Sequence, residues 1–237
     1  MRNSRSNDQL RDVKLIPDWL ENPPGSCLIE MGRTRVLCTA TWNEDVPQFL
    51  KGTGQGWLTC EYRMLPGSTP SRISRERAAL SGRTYEIQRL IGRSLRSCLD
   101  LAAIGERTIF VDVDVLQADG GTRICGINGS VIALYRCLQE MEKKLGIPVA
   151  FAFKGIVSAV SVGIVEGEVL LDLEYSEDSC AEVDMNVVAF ECEQFVEIQG
   201  TGERQTFSHS QLLELLSLSQ KGIEEIYQIQ RQVLELV

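Results

Sequence analysis

The 237-residue chain has a single histidine, His209. A Ser-His-Asp or Cys-His mechanism would hang on that one imidazole, and its setting in FSHSQLLELL reads as a helix cap or surface position instead. Cysteines stand at 27, 38, 60, 98, 125, 137, 180 and 192, but none form a CxxC pair, which argues against zinc. Their apolar neighbours, as in VLCTA and YRCLQ, suit reduced core thiols. No apolar run approaches the roughly 18 residues of a membrane helix. The N-terminal MRNSRSNDQLRD is too polar for a secretory signal, so a cytoplasmic protein away from membranes is expected. Residues 52–60, GTGQGWLTC, are glycine-rich but lack both GxGxxG spacing and a P-loop lysine, which discounts a nucleotide cradle. No linker, low-complexity tract or appended RNA-binding module is visible.

What is present is an ordinary globular composition, 43% apolar and 24% charged. A chain of this length can bury a proper core as one large domain or two small ones. The net charge of −9 looks wrong for a partner of nucleic acid, but its distribution matters more than its sum. Between Arg63 and Arg96 stand arginines 63, 72, 75, 77, 83, 89, 93 and 96, opposed only by Glu76 and Glu86. That segment carries +6 within a chain of net −9, which leaves −15 elsewhere. Such polarity suits a polyanion bound at one face, and equally a solvated arginine-rich surface.

Two hairpins are predicted, one in 26–42 around Gly32-Arg33 and one in 155–175 around Glu166-Gly167. Their recurrence hints at two related halves. Residues 84–101 read as a helix, with Ile87, Leu90, Ile91, Leu95, Cys98 and Leu99 on the buried stripe. Arg89, Arg93 and Arg96 fall on another stripe, and Thr84 is a candidate N-cap. Residues 107–116 form a strand with Ile109, Val111, Val113 and Val115 on one face. Further helices are expected at about 127–145 and 209–235. Residues 66–82 read as a long basic loop, of the kind that often carries function.

Two constellations point to chemistry. Asp119-Gly120-Gly121-Thr122-Arg123 ends a strand and opens towards a helix. Glycines let backbone N–H groups approach a ligand, and a helix start attracts anions. Thr122 adds a hydroxyl, and Arg123 adds a fork that matches phosphate. Arg83 stands before another helix start, and the two junctions together would hold one phosphate ion; a plain tight turn is the competing reading for DGG. The second constellation is acidic. Asp172 and Glu174 alternate with Leu171, Leu173 and Tyr175, as the solvated face of a strand would. Asp178 lies in a polar connector, whereas Asp184 interrupts an apolar run, AEVDMNVVAF. A carboxylate there needs a hydrogen-bond partner or a cation. Paired carboxylates with so little histidine favour a hard ion such as Mg²⁺. Phosphoryl or nucleotidyl transfer follows; the residue pattern alone does not choose the nucleophile.

Over nearly its whole length the chain resembles the ribonuclease PH family of phosphate-dependent, tRNA-trimming exoribonucleases. The likeness is carried by NDQLR (7–11), VLCTAT (36–41), GQGWLTCEYRMLP (54–66), GRTYEIQRLIGRSLR (82–96), DVDVLQADGGTR (112–123), AVSVGIV (159–165), DLEYSEDSCAEVDMNVV (172–188) and EIQGTGE (197–203), in order. The resemblance implies an α+β ribonuclease PH fold (ribosomal protein S5 domain 2-like) of two pseudo-duplicated βαβα-type halves. They are placed at 10–141 and 155–222, with a C-terminal helical extension at 223–237. It implies phosphate binding by Arg83, Gly121, Thr122 and Arg123, and catalysis and metal binding by Asp178 and Asp184. RNA contact is expected from Arg72, Arg75 and Arg77, with Arg89, Arg93 and Arg96 from the arginine stripe. The implied cofactors are Mg²⁺ or Mn²⁺, with inorganic phosphate as co-substrate. The implied partners are RNA, chiefly tRNA 3′ ends, and further copies of the chain in a hexamer built as a trimer of dimers, with no DNA and no membrane. Departures are MLPGST where the family has MLPRAT, so that Gly67 replaces an arginine, Arg63 where a small residue is usual, GGTRICGING for GGTRTASITG, and NSR for the N-terminal DGR. Two other readings are a non-catalytic subunit that guides RNA and a small-molecule kinase on a related scaffold.

Overall fold

A computed structural model describes residues 2, 5–74 and 82–236. The first half is a five-stranded sheet in the order β1-β2-β3-β5-β4, built from β1 (Val13–Pro17), β2 (Gly25–Met31), β3 (Thr34–Asn43), β4 (Trp57–Met64) and β5 (Thr108–Gln117). The β2–β3 hairpin turns at Gly32-Arg33 as the sequence predicts. β4 and β5 run parallel, and the crossover between them contains α1 (Gly82–Ser97). Ile109, Val111, Val113 and Val115 of β5 are all buried on one face.

The second half is a four-stranded antiparallel sheet, β7-β6-β8-β9, made of β6 (Val157–Val165), β7 (Glu168–Leu171), β8 (Val183–Phe190) and β9 (Gln194–Gly202). Between the sheets lies α2 (Thr122–Leu145), which packs against β2 and β3 on one side and β6 on the other. It is buried from Ile124 through Leu134, and Asn128 at its centre exchanges hydrogen bonds with the Ala159 backbone of β6. A helix enclosed on two sides explains why the apolar run there is broader than one stripe. α3 (Val149–Ala152) and α4 (Tyr175–Asp178) are single turns, and α5 (His209–Leu234) covers β6, β7 and β8. Ser208 caps α5, so His209 is its exposed first residue.

Three local expectations are corrected. α2 begins at Thr122 rather than near 127, because Gly121 itself is the cap and Cys125 N already bonds to its carbonyl. Gly82 and Arg83 are already helical and α1 (Gly82–Ser97) ends at Ser97, which puts Thr84 inside the helix rather than at its cap. The third concerns Asp172 and Glu174. β7 stops at Leu171, and Asp172 turns to φ 55° and is fully buried. It accepts from the Arg11 backbone N at 2.8 Å and from the Arg11 guanidinium at 2.6 and 2.9 Å. Burial opposes both charges, but each offsets the other, so the Asp172 pKa is lowered and that of Arg11 raised. Removing one partner of such a pair typically costs about 3–5 kcal/mol. Glu174 caps α4. The solvated strand face is in fact a buried anchor and a helix cap.

Candidate active site

The two halves meet at a cleft of about 570 Å³ lined by Arg83, Gly120, Gly121, Thr122, Arg123, Asp178 and Asp184 among others. Both junctions named from the sequence therefore face one space, together with both aspartates.

The anion side is a backbone device. Gly120 (φ 77°) and Gly121 (φ 66°) adopt left-handed conformations, and α2 receives no side-chain cap at its start. A Cβ on Gly120 would lie 2.6 Å from the Leu173 carbonyl oxygen, so no other residue fits there. The turn is fixed from outside: Thr34 Oγ1 donates to Gly120 O at 2.7 Å and accepts from Asp119 N at 3.0 Å. Arg11 Nη1 donates to Asp119 O at 2.7 Å. The result is a helix N-terminus held open towards the cleft, where its N–H groups and dipole favour an anion. Thr122 Oγ1 lies 2.8 Å from the hydroxyl of buried Tyr62. Arg123 Nη1 is held by Glu86 at 3.1 Å and Gln199 at 3.0 Å, which aims its fork. Arg83, in the first turn of α1, is exposed.

The opposite wall carries the carboxylates. Asp178 ends α4, whose capping box is closed by Glu174 and Glu177. Arg2 donates to Glu177 at 2.6 Å, and Arg5 bonds the Asp172 carbonyl at 2.9 Å, so the N-terminal strap secures this helix. Asp184 lies on β8, a central strand whose residues Met185–Ala189 are buried as the sequence predicts. Burial raises the pKa of Asp178, with Arg83 and Arg123 pulling the other way. Asp184 is pushed up to about 6, first by burial and then by the charge of Asp178; Arg123 and Arg83 again oppose this, and Glu203 adds to it. The same two arginines thus act on both aspartates across the cleft. Among the described residues the only donor to Asp184 is Asn186 Nδ2, at 3.5 Å.

Two under-satisfied oxygen donors suit a hard divalent cation. Among the described residues no group of three His, Cys, Asp or Glu side chains forms a protein-only cage. Mg²⁺ keeps waters and takes one or two carboxylates together with substrate phosphate oxygens, a set that Asp178 and Asp184 could complete.

The expected RNA-contacting arginines are placed differently. Arg75 and Arg77 lie outside the described residues. Arg72 is exposed beside Thr69, Pro70 and Ser71 of the cleft rim, and Arg89 is exposed on α1. Arg93 is held by Glu197 at 2.6 and 2.9 Å. Arg96 stacks over Trp57 at 4.8 Å and donates to Leu58 O at 2.9 Å. Neither Arg93 nor Arg96 lines the cleft. Sequence reasoning gave no role to Tyr62, Thr34 or Arg11. Tyr62 was visible only as an alternating apolar position in WLTCEYRM, and Arg11 as one polar residue of NDQLR; their partners are distant in sequence.

A cleft with anion donors on one wall and paired carboxylates on the other is a site for transfer at a phosphodiester. Patterns described as 3′ exoribonuclease family, domain 1 and domain 2, match residues 9–138 and 155–222. The chain is 54% identical over 235 residues to ribonuclease PH of Synechococcus sp. strain JA-2-3B'a(2-13), covering 98% of this chain and 96% of that one. It is 52% identical over 233 residues to ribonuclease PH of Syntrophomonas wolfei, covering 98% and 97%. The Archaeoglobus fulgidus exosome with RNA bound to the active site contains a chain of the same fold, at TM-score 0.79 and 19% identity, covering 94% of this chain and 90% of that one. An archaeal exosome core chain gives 0.77 at 18%, covering 97% and 89%. The chain belongs to the 3′ exoribonuclease family.

Proposed function

We infer that this chain is a phosphorolytic 3′→5′ exoribonuclease that trims extra nucleotides from the 3′ ends of tRNA precursors. The observation that carries this reading is the convergence of Gly121, Thr122, Arg123 and Arg83 with Asp178 and Asp184 on one cleft. Inorganic phosphate, held by the open helix start, the Thr122 hydroxyl and the two guanidinium groups, attacks the phosphorus of the last phosphodiester. The bond from phosphorus to the 3′-oxygen of the penultimate nucleotide breaks. A nucleoside 5′-diphosphate leaves, and the shortened RNA regains a 3′-hydroxyl by taking up a proton. Without a cation Asp184, pushed up to about 6, can give that proton; as a metal ligand it stays ionised, and the proton then comes from solvent. Arg83 and Arg123 spread the charge that builds on the phosphoryl oxygens. The bond made resembles the bond broken, so excess nucleoside diphosphate extends the RNA.

Asp178 and Asp184 would hold Mg²⁺ or Mn²⁺, which supplies neutralisation of phosphoryl charge when bound. A subunit that only guided RNA would have no use for a phosphate cradle facing such a pair. The working assembly is a homo-hexamer, a trimer of dimers, in keeping with Phe195 (50% exposed) and Ile198 (42% exposed) on the edge strand β9. The partner is RNA, not DNA. The cytoplasm suits the eight cysteines, all of them free thiols. Among the described residues no helix is long and apolar enough to cross a membrane.

The test uses purified protein, Mg²⁺ and a tRNA carrying extra 3′ nucleotides, with and without inorganic phosphate. Nucleoside diphosphates released only with phosphate are the expected result. Monophosphates released without phosphate would mean hydrolysis and overturn the mechanism.

A further inference from the structure

One large aromatic side chain lines the cleft among its described residues, Tyr175, and nothing in the reaction above uses it. It opens α4 and is 60% exposed. Leu173, two residues earlier, is buried, so the ring is left out of the core while its neighbour enters it. The backbone of Tyr175 is fixed. Its N would lie 2.8 Å from a Cβ on Gly120, so α4 starts directly against the phosphate loop. Asp178 follows three residues later, in the same turn and lining the same cleft. The ring therefore stands on the wall that joins the anion donors to the carboxylates. The described lining also includes Met64, Thr69 and Pro70, and no residue of it other than Tyr175 is aromatic.

We propose that Tyr175 is a specificity-determining residue whose ring stacks on the base of the nucleotide that departs as the diphosphate. The inference rests on the phosphorolytic reading. In that reading the phosphates of the leaving nucleotide lie between the Gly121–Arg123 donors and the aspartates. Its nucleoside must extend along a wall adjoining the loop, and Tyr175 forms that wall. A stacking face accepts every base, as a trimming enzyme requires, and favours those that stack best. Purines should be held more tightly than pyrimidines.

The experiment runs the reaction in reverse, with an RNA primer and either ADP or UDP, on the full chain and on Tyr175→Phe and Tyr175→Ala. KM for inorganic phosphate is measured in the forward direction. Tyr175→Ala is expected to raise KM for ADP about tenfold and KM for UDP by less, because base–aromatic stacking is typically of this size. Tyr175→Phe should stay within about twofold of the parent, and KM for phosphate should move no more than that in either variant. Three results would overturn the stacking role: an unchanged KM for ADP in the alanine variant, an equal loss in the phenylalanine variant, or a parallel rise in KM for phosphate. The last would mark a residue that merely shapes the loop. If the unaltered chain releases no diphosphate from RNA, the phosphorolytic reading falls and the stacking role with it.

Discussion

The two walls of the cleft are prepared in opposite ways. The phosphate wall is finished before its ligand arrives. Gly120 and Gly121 fix the turn, Thr34 and Arg11 clamp it, and Glu86 with Gln199 aims Arg123. The carboxylate wall is left unsatisfied. Asp184 has one long contact, and burial and Asp178 drive its pKa up to about 6. Rigid dipoles cost nothing to reorganise when phosphate binds. Two crowded carboxylates store an electrostatic cost that only a cation or a proton relieves. The first wall should therefore govern affinity for phosphate, and the second turnover and its dependence on pH and metal.

The sharpest way to break this contrast is to cross the two kinds of variant. Asp184→Asn keeps the shape of the side chain but removes its charge and its acidity. It is expected to lower kcat about a thousandfold while KM for phosphate changes little. Arg123→Gln should act chiefly on KM for phosphate, with a smaller fall in kcat because the same guanidinium spreads phosphoryl charge in the transition state. Losing a charge-assisted bond to phosphate is worth about 1.5–3 kcal/mol, which raises KM for phosphate about ten- to hundredfold. Steady-state kinetics at varied phosphate separates the two. If the two variants changed kcat and KM for phosphate by the same factors, the walls would not be independent.

Much of this contrast was legible in the sequence, for a physical reason. The phosphate loop is local: strand, two glycines, hydroxyl and arginine occupy consecutive positions 117–123, so spacing alone displays them. Asp184 was legible as a carboxylate in a strand buried at Met185–Ala189. What stayed hidden depends on contacts far apart in the chain. Asp172 read as one tooth of an alternating strand because the pattern 171–175 is alternating. Arg11, 161 residues away, decides that it is buried. Likewise the stripe of Arg89, Arg93 and Arg96 is real in helical spacing, yet Glu197 and Trp57 claim two of its members.

The electrostatic half of the comparison can be sharpened by titration without substrate. For Asp184 the ordinary pKa of 3.8 becomes about 6 in the folded chain. Between those values the folded protein holds more protons than the unfolded one, so stability falls as pH rises. Above the folded value the full loss is in place, on the order of 3 kcal/mol for this group. Asp178 is raised too and adds in the same direction. Asp172 has the opposite sign, and its contribution is lost only as pH falls below the ordinary carboxylate range. Metal-free protein should lose several degrees of Tm as pH rises through this window, and Asp184→Asn should flatten the slope. Added Mg²⁺ should raise Tm more above pH 6 than below it. A slope unchanged in the variant would remove Asp184 as its source.

The smallest effect probes the finish of the phosphate wall. Tyr62 is 3% exposed and its hydroxyl lies 2.8 Å from Thr122 Oγ1. Burial raises the phenol pKa, so the hydroxyl keeps its hydrogen. Either oxygen can donate in this pair. If the phenol donates, the hydrogen of Thr122 is free to point at the anion. Tyr62→Phe keeps the ring and its packing but lets the Thr122 hydroxyl rotate. The expected cost is about 1 kcal/mol, a roughly fivefold rise in KM for phosphate with kcat nearly unchanged. In a Thr122→Ala background the same substitution should do nothing further, since a coupled pair is not additive. An equal effect in both backgrounds would show that Tyr62 acts through packing, and the preorganisation of this wall would then end at Thr122.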